Sequence, residues 1–259
     1  MRWRLISLGW LATGLIWGLP QGVGLTQTAA TAQTSVPASV PSSLQETGGA
    51  QYYGAQLPGA LQTFQTLLEQ QAAADDRLGQ ADTLIWLAKV HLDLGQYEAS
   101  GERVEQAQAI YETLPDSELG KAASLRMLGR IALNRSQYEE ANTYLNQARE
   151  IETPLSDGGN AAARSGLGET LISVGTLYNN QSQYAEAIEP LQQALTIHQA
   201  LGNREQEALA LSTLGLSQHR LGETETALDL LAQAFSIMDA DGVEILRGAT
   251  TLILGLVQY

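Results

Sequence analysis

The chain has 259 residues, no cysteine and a formal net charge of −14. An acidic surface of that size repels phosphate backbones and disfavours nucleic acid as a partner, and the missing thiols exclude disulfides, thiolate nucleophiles and cysteine-held metals. Leu, Ala, Gln and Glu are abundant beside only 2 Phe and 7 Pro, a bias towards helix, because unbranched side chains lose little rotamer freedom there.

Arg2 and Arg4 open the chain, followed by an uncharged, largely apolar run from Leu5 to Leu19 that Pro20 breaks. Ala30 and Ala32 then satisfy the small-residue cleavage rule, so residues 1–32 read as a signal peptide cut before Gln33. The run falls short of the ~20 residues a membrane span needs. The expected mature protein is exported, periplasmic or secreted, with no membrane segment; uncleaved, the same run becomes an anchor. Residues 33–56 are rich in Ser, Thr, Pro, Gly and Gln. With so little apolar area to bury, they read as a flexible linker.

From residue 57 the chain repeats. Leu84-x-x-Leu87-Ala88, Leu125-x-x-Leu128-Gly129, Leu171-x-x-Val174-Gly175 and Leu211-x-x-Leu214-Gly215 align, each followed by a turn: Gly95-Gln96-Tyr97, Ser136-Gln137-Tyr138, Ser182-Gln183-Tyr184 and Gly222-Glu223-Thr224. A second apolar set recurs at helical spacing after each turn: Ser100, Val104, Ala107; Ala141, Leu145, Ala148; Ala187, Leu191, Ala194; Ala227, Leu231, Ala234. Each block is therefore a helix pair. Small residues at Ala88, Gly129, Gly175 and Gly215 let the first helix approach the second. One pair cannot bury its stripe alone, so the pairs stack: the predicted fold is all-α, an α-solenoid of stacked antiparallel helix pairs.

The repeats are placed at about 81–114, 122–155, 168–201 and 208–241. Ala60, Phe64 and Leu67 match a second helix alone, which predicts a lone cap helix over 58–74. Thr251, Leu254 and Gly255 match the first helix of an incomplete fifth repeat from 248, apolar on nearly all sides, which reads as an interrupted member of a longer family, the alternatives being docking into its own stack or self-association with a second copy. Gly158-Gly159-Asn160, within the longest spacing, reads as a flexible insertion, and Asp76 and Asn203 as helix caps.

These motifs resemble the tetratricopeptide repeat in its long, roughly 40-residue form, similar to the repeats of kinesin light chains, Pins-type adaptors and bacterial exported proteins. The resemblance implies a protein or peptide partner, bound in a concave groove lined by the first helix of each pair. Transferred onto this chain, the partner-binding residues are Lys89, Arg126, Arg130, Asn179, Asn180, His219 and Arg220. Arg126 and Arg130 form the centre of a groove for an acidic or carboxylate-bearing segment. Trp86, Met127, Ser173, Thr213 and Ile253 stand where long-repeat adaptors carry a peptide-binding Asn, so their ligands do not transfer.

No nucleophile elbow, phosphate loop or paired-histidine motif occurs, and His91, His198 and His219 fall on three different helices. No cofactor, metal or enzymatic activity is expected. The alternative is a sensing region of a larger CHAT-type, caspase-like protease protein, whose catalytic Cys and His this sequence does not contain.

Overall fold

The computed structural model describes residues 42–258, and among them it contains eleven α-helices and no strand. They are α1 (Ser42–Tyr53), α2 (Leu57–Ala73), α3 (Arg77–Asp93), α4 (Tyr97–Tyr111), α5 (Glu118–Asn134), α6 (Tyr138–Asp157), α7 (Ala161–Asn180), α8 (Tyr184–Leu201), α9 (Arg204–Arg220), α10 (Thr224–Asp241) and α11 (Glu244–Gln258). The signal-peptide reading of residues 1–32 lies outside the described residues.

The small-against-large pairing holds each helix pair together. A Cβ on Gly129 would lie 2.8 Å from Leu145, and one on Gly215 would lie 3.1 Å from Leu231. At Gly175 it would run into Leu191. Leu145, Leu191 and Leu231 are wholly buried, so the second helix inserts a leucine where the first offers bare backbone. Consecutive odd-numbered helices also pack on one another, from α3–α5 through α9–α11, while consecutive even-numbered helices do not pack to a comparable extent. The stack therefore curves with the odd helices inside.

Every connection turns through one residue of left-handed backbone. Five are glycines, including Gly222 at φ 90°, and five are not: Ala55, Asp75, Asp116, Ser136 and Ser182, with φ between 54° and 62°. A side chain there costs about 1–2 kcal/mol, which the helices on either side must outweigh.

Four expectations need correction. Residues 42–53 of the expected linker form α1, and α2 is accordingly no lone cap but the second helix of a pair. Leu44, Thr47 and Gly48 stand 40 residues ahead of Leu84, Leu87 and Ala88, and a Cβ on Gly48 would sit 2.7 Å from Phe64. The register is present, yet aliphatics are scarce; burial comes from Tyr52 at the helix end, only 4% exposed.

The expected flexible insertion, at 158–160, is only the tight turn between α6 and α7. α6 and α7 are each 20 residues long, and the extra residues lengthen both helices, with Pro154 inside α6. Asn160 caps α7 by accepting from the Ala163 amide at 3.0 Å. Asp76 caps α3 as expected, accepting from Gly79 at 2.9 Å. Asn203 does not cap α9; its amide donates to Ser165 Oγ at 2.9 Å and ties α9 to α7.

The helix α11 seats Val257 against Ala227 and Leu231, and Thr250 meets Ser212 at 3.0 Å. Leu252 and Leu256 stay 67% and 44% exposed, so this end of the stack presents an apolar surface. No described helix is long and apolar enough to cross a membrane.

Candidate functional site

The inner face carries one chamber with two lobes, of about 350 and 490 Å³, which share Tyr53, Lys89, Arg126, Arg130, Glu169, Glu205 and Gln206. That size falls in the range of sites for small ligands or short segments. Helices α3, α5 and α7 supply Lys89, Arg126, Arg130 and Glu169, with Lys89 and Arg130 directly following the small residues Ala88 and Gly129 of the core stripe. Helix α1 supplies Tyr52 and Tyr53, and α11 supplies Ile245 and Leu246.

Lys89 points its ammonium at three aromatic rings: Tyr52 at 4.7 Å, Trp86 at 4.9 Å and Tyr53 at 5.4 Å from their centroids. Phe64 stacks on Trp86 from behind at 5.2 Å. The rings attract a cation through their quadrupoles. No carboxylate lies within 4.0 Å of Lys89 among the described residues. Burial lowers its pKa to about 8, against the pull of Glu169.

The two arginines differ. Arg126 is locked into the wall: Nη1 donates to Glu152 at 2.5 Å and Nε lies 3.4 Å from Glu169. Glu152 is 1% exposed and also accepts from Thr170 Oγ1 at 2.6 Å. Its pKa is raised by burial, which outweighs Arg126. Arg130 is held more loosely. It reaches Asp93 only at 3.9 Å and Met127 Sδ at 3.7 Å, while Asp93 accepts from the Tyr52 hydroxyl.

Glu169 is the internal counter-ion. Burial works to raise its pKa, and Arg126, Lys89 and Arg130 together hold it below the usual carboxylate range. For Arg130, burial likewise opposes the charge and is outweighed by Tyr52, Asp93 and Glu169. Lys89, Arg126 and Arg130 thus share the chamber with Asp93, Glu169 and Glu205, and of the three cations only Arg126 reaches Glu169 within 4.0 Å.

Of the residues expected in the groove, Lys89, Arg126 and Arg130 come together here. Asn180 lines a smaller pocket beside Arg130 and Leu133. Asn179 is instead buried: its amide reaches the Thr213 carbonyl at 3.3 Å and its oxygen accepts from Ser217 Oγ at 2.8 Å, pinning α7 to α9. His219 and Arg220 sit at the end of α9, and neither lines the chamber. Sequence reasoning missed Tyr52, Tyr53 and Glu169. The tyrosines lay in the supposed linker, although they stand 40 residues ahead of Leu92 and Asp93.

The histidines take structural positions. His91 Nδ1 meets Gln96 Oε1 at 2.6 Å. His198 is fully buried over Gly168, whose Cβ would lie 2.5 Å away, and neither ring nitrogen has a hydrogen-bond partner. Among the described residues, no group of three or more His, Cys, Asp or Glu is placed to hold a metal ion.

Stacked helix pairs wrapped around a lined inner face define a helical-repeat protein. The tetratricopeptide repeat family model matches residues 79–152 and 166–240, more than half of the sequence, and the chain belongs to that family. No curated protein sequence matches it. Among solved structures, aspartyl phosphate phosphatase F from Bacillus subtilis is similar at a TM-score of 0.60 and 18% identity, over 81% of this chain and 54% of that one. The apo form of RapI gives 0.55 and 15%, over 83% and 58%. BtubC (BKLC) from P. vanneervenii gives 0.52 and 18%, over 76% and 87%. The chain spans little more than half the length of the first two, and at these identities the likeness is one of fold.

Proposed function

We propose that the chain is a non-catalytic interaction scaffold whose inner chamber receives a short, anion-bearing segment of a partner protein. The observation that carries this reading is the gathering of Lys89, Arg126 and Arg130 in one chamber, where Arg130 reaches Asp93 only at 3.9 Å and Lys89 has no carboxylate within 4.0 Å among the described residues. Glu169 occupies the position of an anion in the apo protein, and an incoming carboxylate competes with it. The centre of the site shifts from the arginine pair to Lys89 and Arg130, because Arg126 is committed to Glu152. The aliphatic wall of Ile172, Leu209, Ile245 and Leu246 favours a segment with apolar residues beside its acid.

Fluorescence polarisation with a library of acidic-apolar peptides, and the same peptides with Asp and Glu amidated, tests it. Binding should need the carboxylate, weaken about tenfold in Arg130→Gln, and strengthen in Glu169→Gln, where the internal competitor is gone. Equal binding of acidic and amidated peptides would sink the idea.

The protein acts outside the cytoplasm in this reading, supported by Arg2, Arg4, the Leu5–Leu19 run and Ala30-x-Ala32. N-terminal sequencing of the protein made in a bacterial host should find Gln33 first; an intact Met1 in a soluble fraction contradicts it. The phosphatase named for the Bacillus subtilis neighbour lends no activity to this chain, since that likeness extends to fold alone.

A further inference from the structure

We infer that the two ends of the stack form a latch across the inner face, and that partner access to the chamber requires this latch to open. The inference rests on the chamber being the binding site. Tyr53 of α1 packs against the C-terminal core around Leu211 and Met238, and Ile245 of α11 packs against the N-terminal core around Tyr52 and Phe64. Helices 190 residues apart in sequence therefore meet in space, and the chamber's first lobe is bounded on one side by Tyr52 and Tyr53 and on another by Ile245 and Leu246. An open groove would admit an extended chain. The α1–α11 contact bars such a chain from entering the first lobe, of about 350 Å³, from that side.

The latch is made from the least embedded elements of the fold. In α11 only Thr250 and Val257 are fully buried among its described side chains, while Ile245, Leu246, Ile253 and Leu254 are half-buried and Leu252 and Leu256 exposed. Elements with few buried contacts open at low free-energy cost while the rest of the fold stays intact. The same side chains that close the chamber also present apolar surface to it. Opening α11 therefore exposes Lys89 and Arg130 and removes part of the apolar wall at once, which couples access to affinity.

The sequence supplies its own reporter, because Lys89 and Lys121 are its only lysines. Lys89 faces the chamber, while Lys121 stands on the outside beside Glu118 at 3.0 Å. The folded chain is acylated with a small ester, N-hydroxysuccinimidyl acetate, and separately with a polyethylene-glycol ester too bulky for the chamber, and both sites are quantified by mass spectrometry. The latch predicts that the small reagent modifies both lysines and the bulky one only Lys121. In Ile245→Ser/Leu246→Ser, bulky labelling of Lys89 should rise about tenfold relative to Lys121. A second variant guards against general loosening: with Ala50→Cys and Ala249→Cys, one helical turn from the contact and joined by a flexible bis-maleimide, the bulky label at Lys89 should fall again in the same background.

Equal bulky labelling of both lysines in the unaltered chain overturns the latch, as does a Lys89 rate that ignores both variants. If the labelling pattern holds but no acidic peptide binds, the latch stands and the peptide reading falls. If peptides bind and Lys89 is open to the bulky reagent, the latch alone falls.

Discussion

The α7–α8 joint and the α1–α11 contact are built from opposite materials. In the first, Gly175 leaves room that Leu191 fills, His198 packs against Gly168, and the neighbouring wall carries the buried Arg126–Glu152 pair. Every atom there is placed by close packing, so any change in volume or charge is felt. In the second, half-buried Tyr53 packs against the C-terminal core and half-buried Ile245 against the N-terminal core. The contrast teaches a division of labour. The middle of the stack sets the geometry of the chamber, and its ends set access.

Breaking the ion pair gives the largest expected effect on the middle. Arg126→Met strands Glu152 in the core, and loss of one partner of a buried pair costs about 3–5 kcal/mol. Urea denaturation should show that loss, whereas Arg130→Gln, whose partner lies 3.9 Å away, should change stability little. Neutralising both arginines therefore costs stability as well as binding.

Gly175→Ala comes next. The new methyl meets Leu191 in a full joint, and overpacking of that kind costs about 1–3 kcal/mol. Gly215→Ala, with 3.1 Å to Leu231, should cost less; equal costs would mean that the joints are not graded as the geometry says.

The buried His198 gives a smaller, pH-dependent effect. Burial lowers its pKa, with Glu169 opposing and Arg126 assisting. The unfolded chain then binds a proton near its ordinary value of about 6.5 while the folded one resists it. Stability contributed by the neutral ring is present above about pH 6.5 and is lost as pH falls below it, at no more than about 1.4 kcal/mol per pH unit for one proton. His198→Gln should flatten the thermal-melt dependence between neutral and mildly acidic pH. Glu152 and Asp82, whose pKa values burial raises, act oppositely at lower pH.

The smallest effect is at the connections. Ala55→Gly relieves a left-handed backbone at φ 56° and should stabilise by about 1 kcal/mol, and Gly222→Ala should destabilise by a similar amount. If Ala55→Gly has no effect, the α1–α2 turn is relaxed by other means and the N-terminal end is less strained than its backbone indicates.

The middle was legible in the sequence because its packing code is local: a small residue, a leucine and a tyrosine turn at fixed spacing. Ala88, Gly129, Gly175 and Gly215 all sit where the pattern put them. The N-terminal end was not, because α1 replaces aliphatics with Thr47, Gly48 and two tyrosines, and composition alone makes that stretch read as linker. The cationic side of the chamber was legible as Lys89, Arg126 and Arg130. Their partners were not, since Glu152 and Glu169 look like any exposed acid on a helix until two helices are brought together. Asn179 shows the same limit in reverse, a polar side chain spent on joining α7 to α9.

The most direct test of the central claim is the distance between the ends. The chain has no cysteine, so nitroxides at Ala50→Cys and Ala249→Cys report on α1 and α11 alone, by pulsed electron–electron double resonance. A closed chamber predicts one narrow, short distance in the apo protein that broadens and lengthens in Ile245→Ser/Leu246→Ser. A broad, long distribution in the unaltered chain would mean an open groove and would contradict the account.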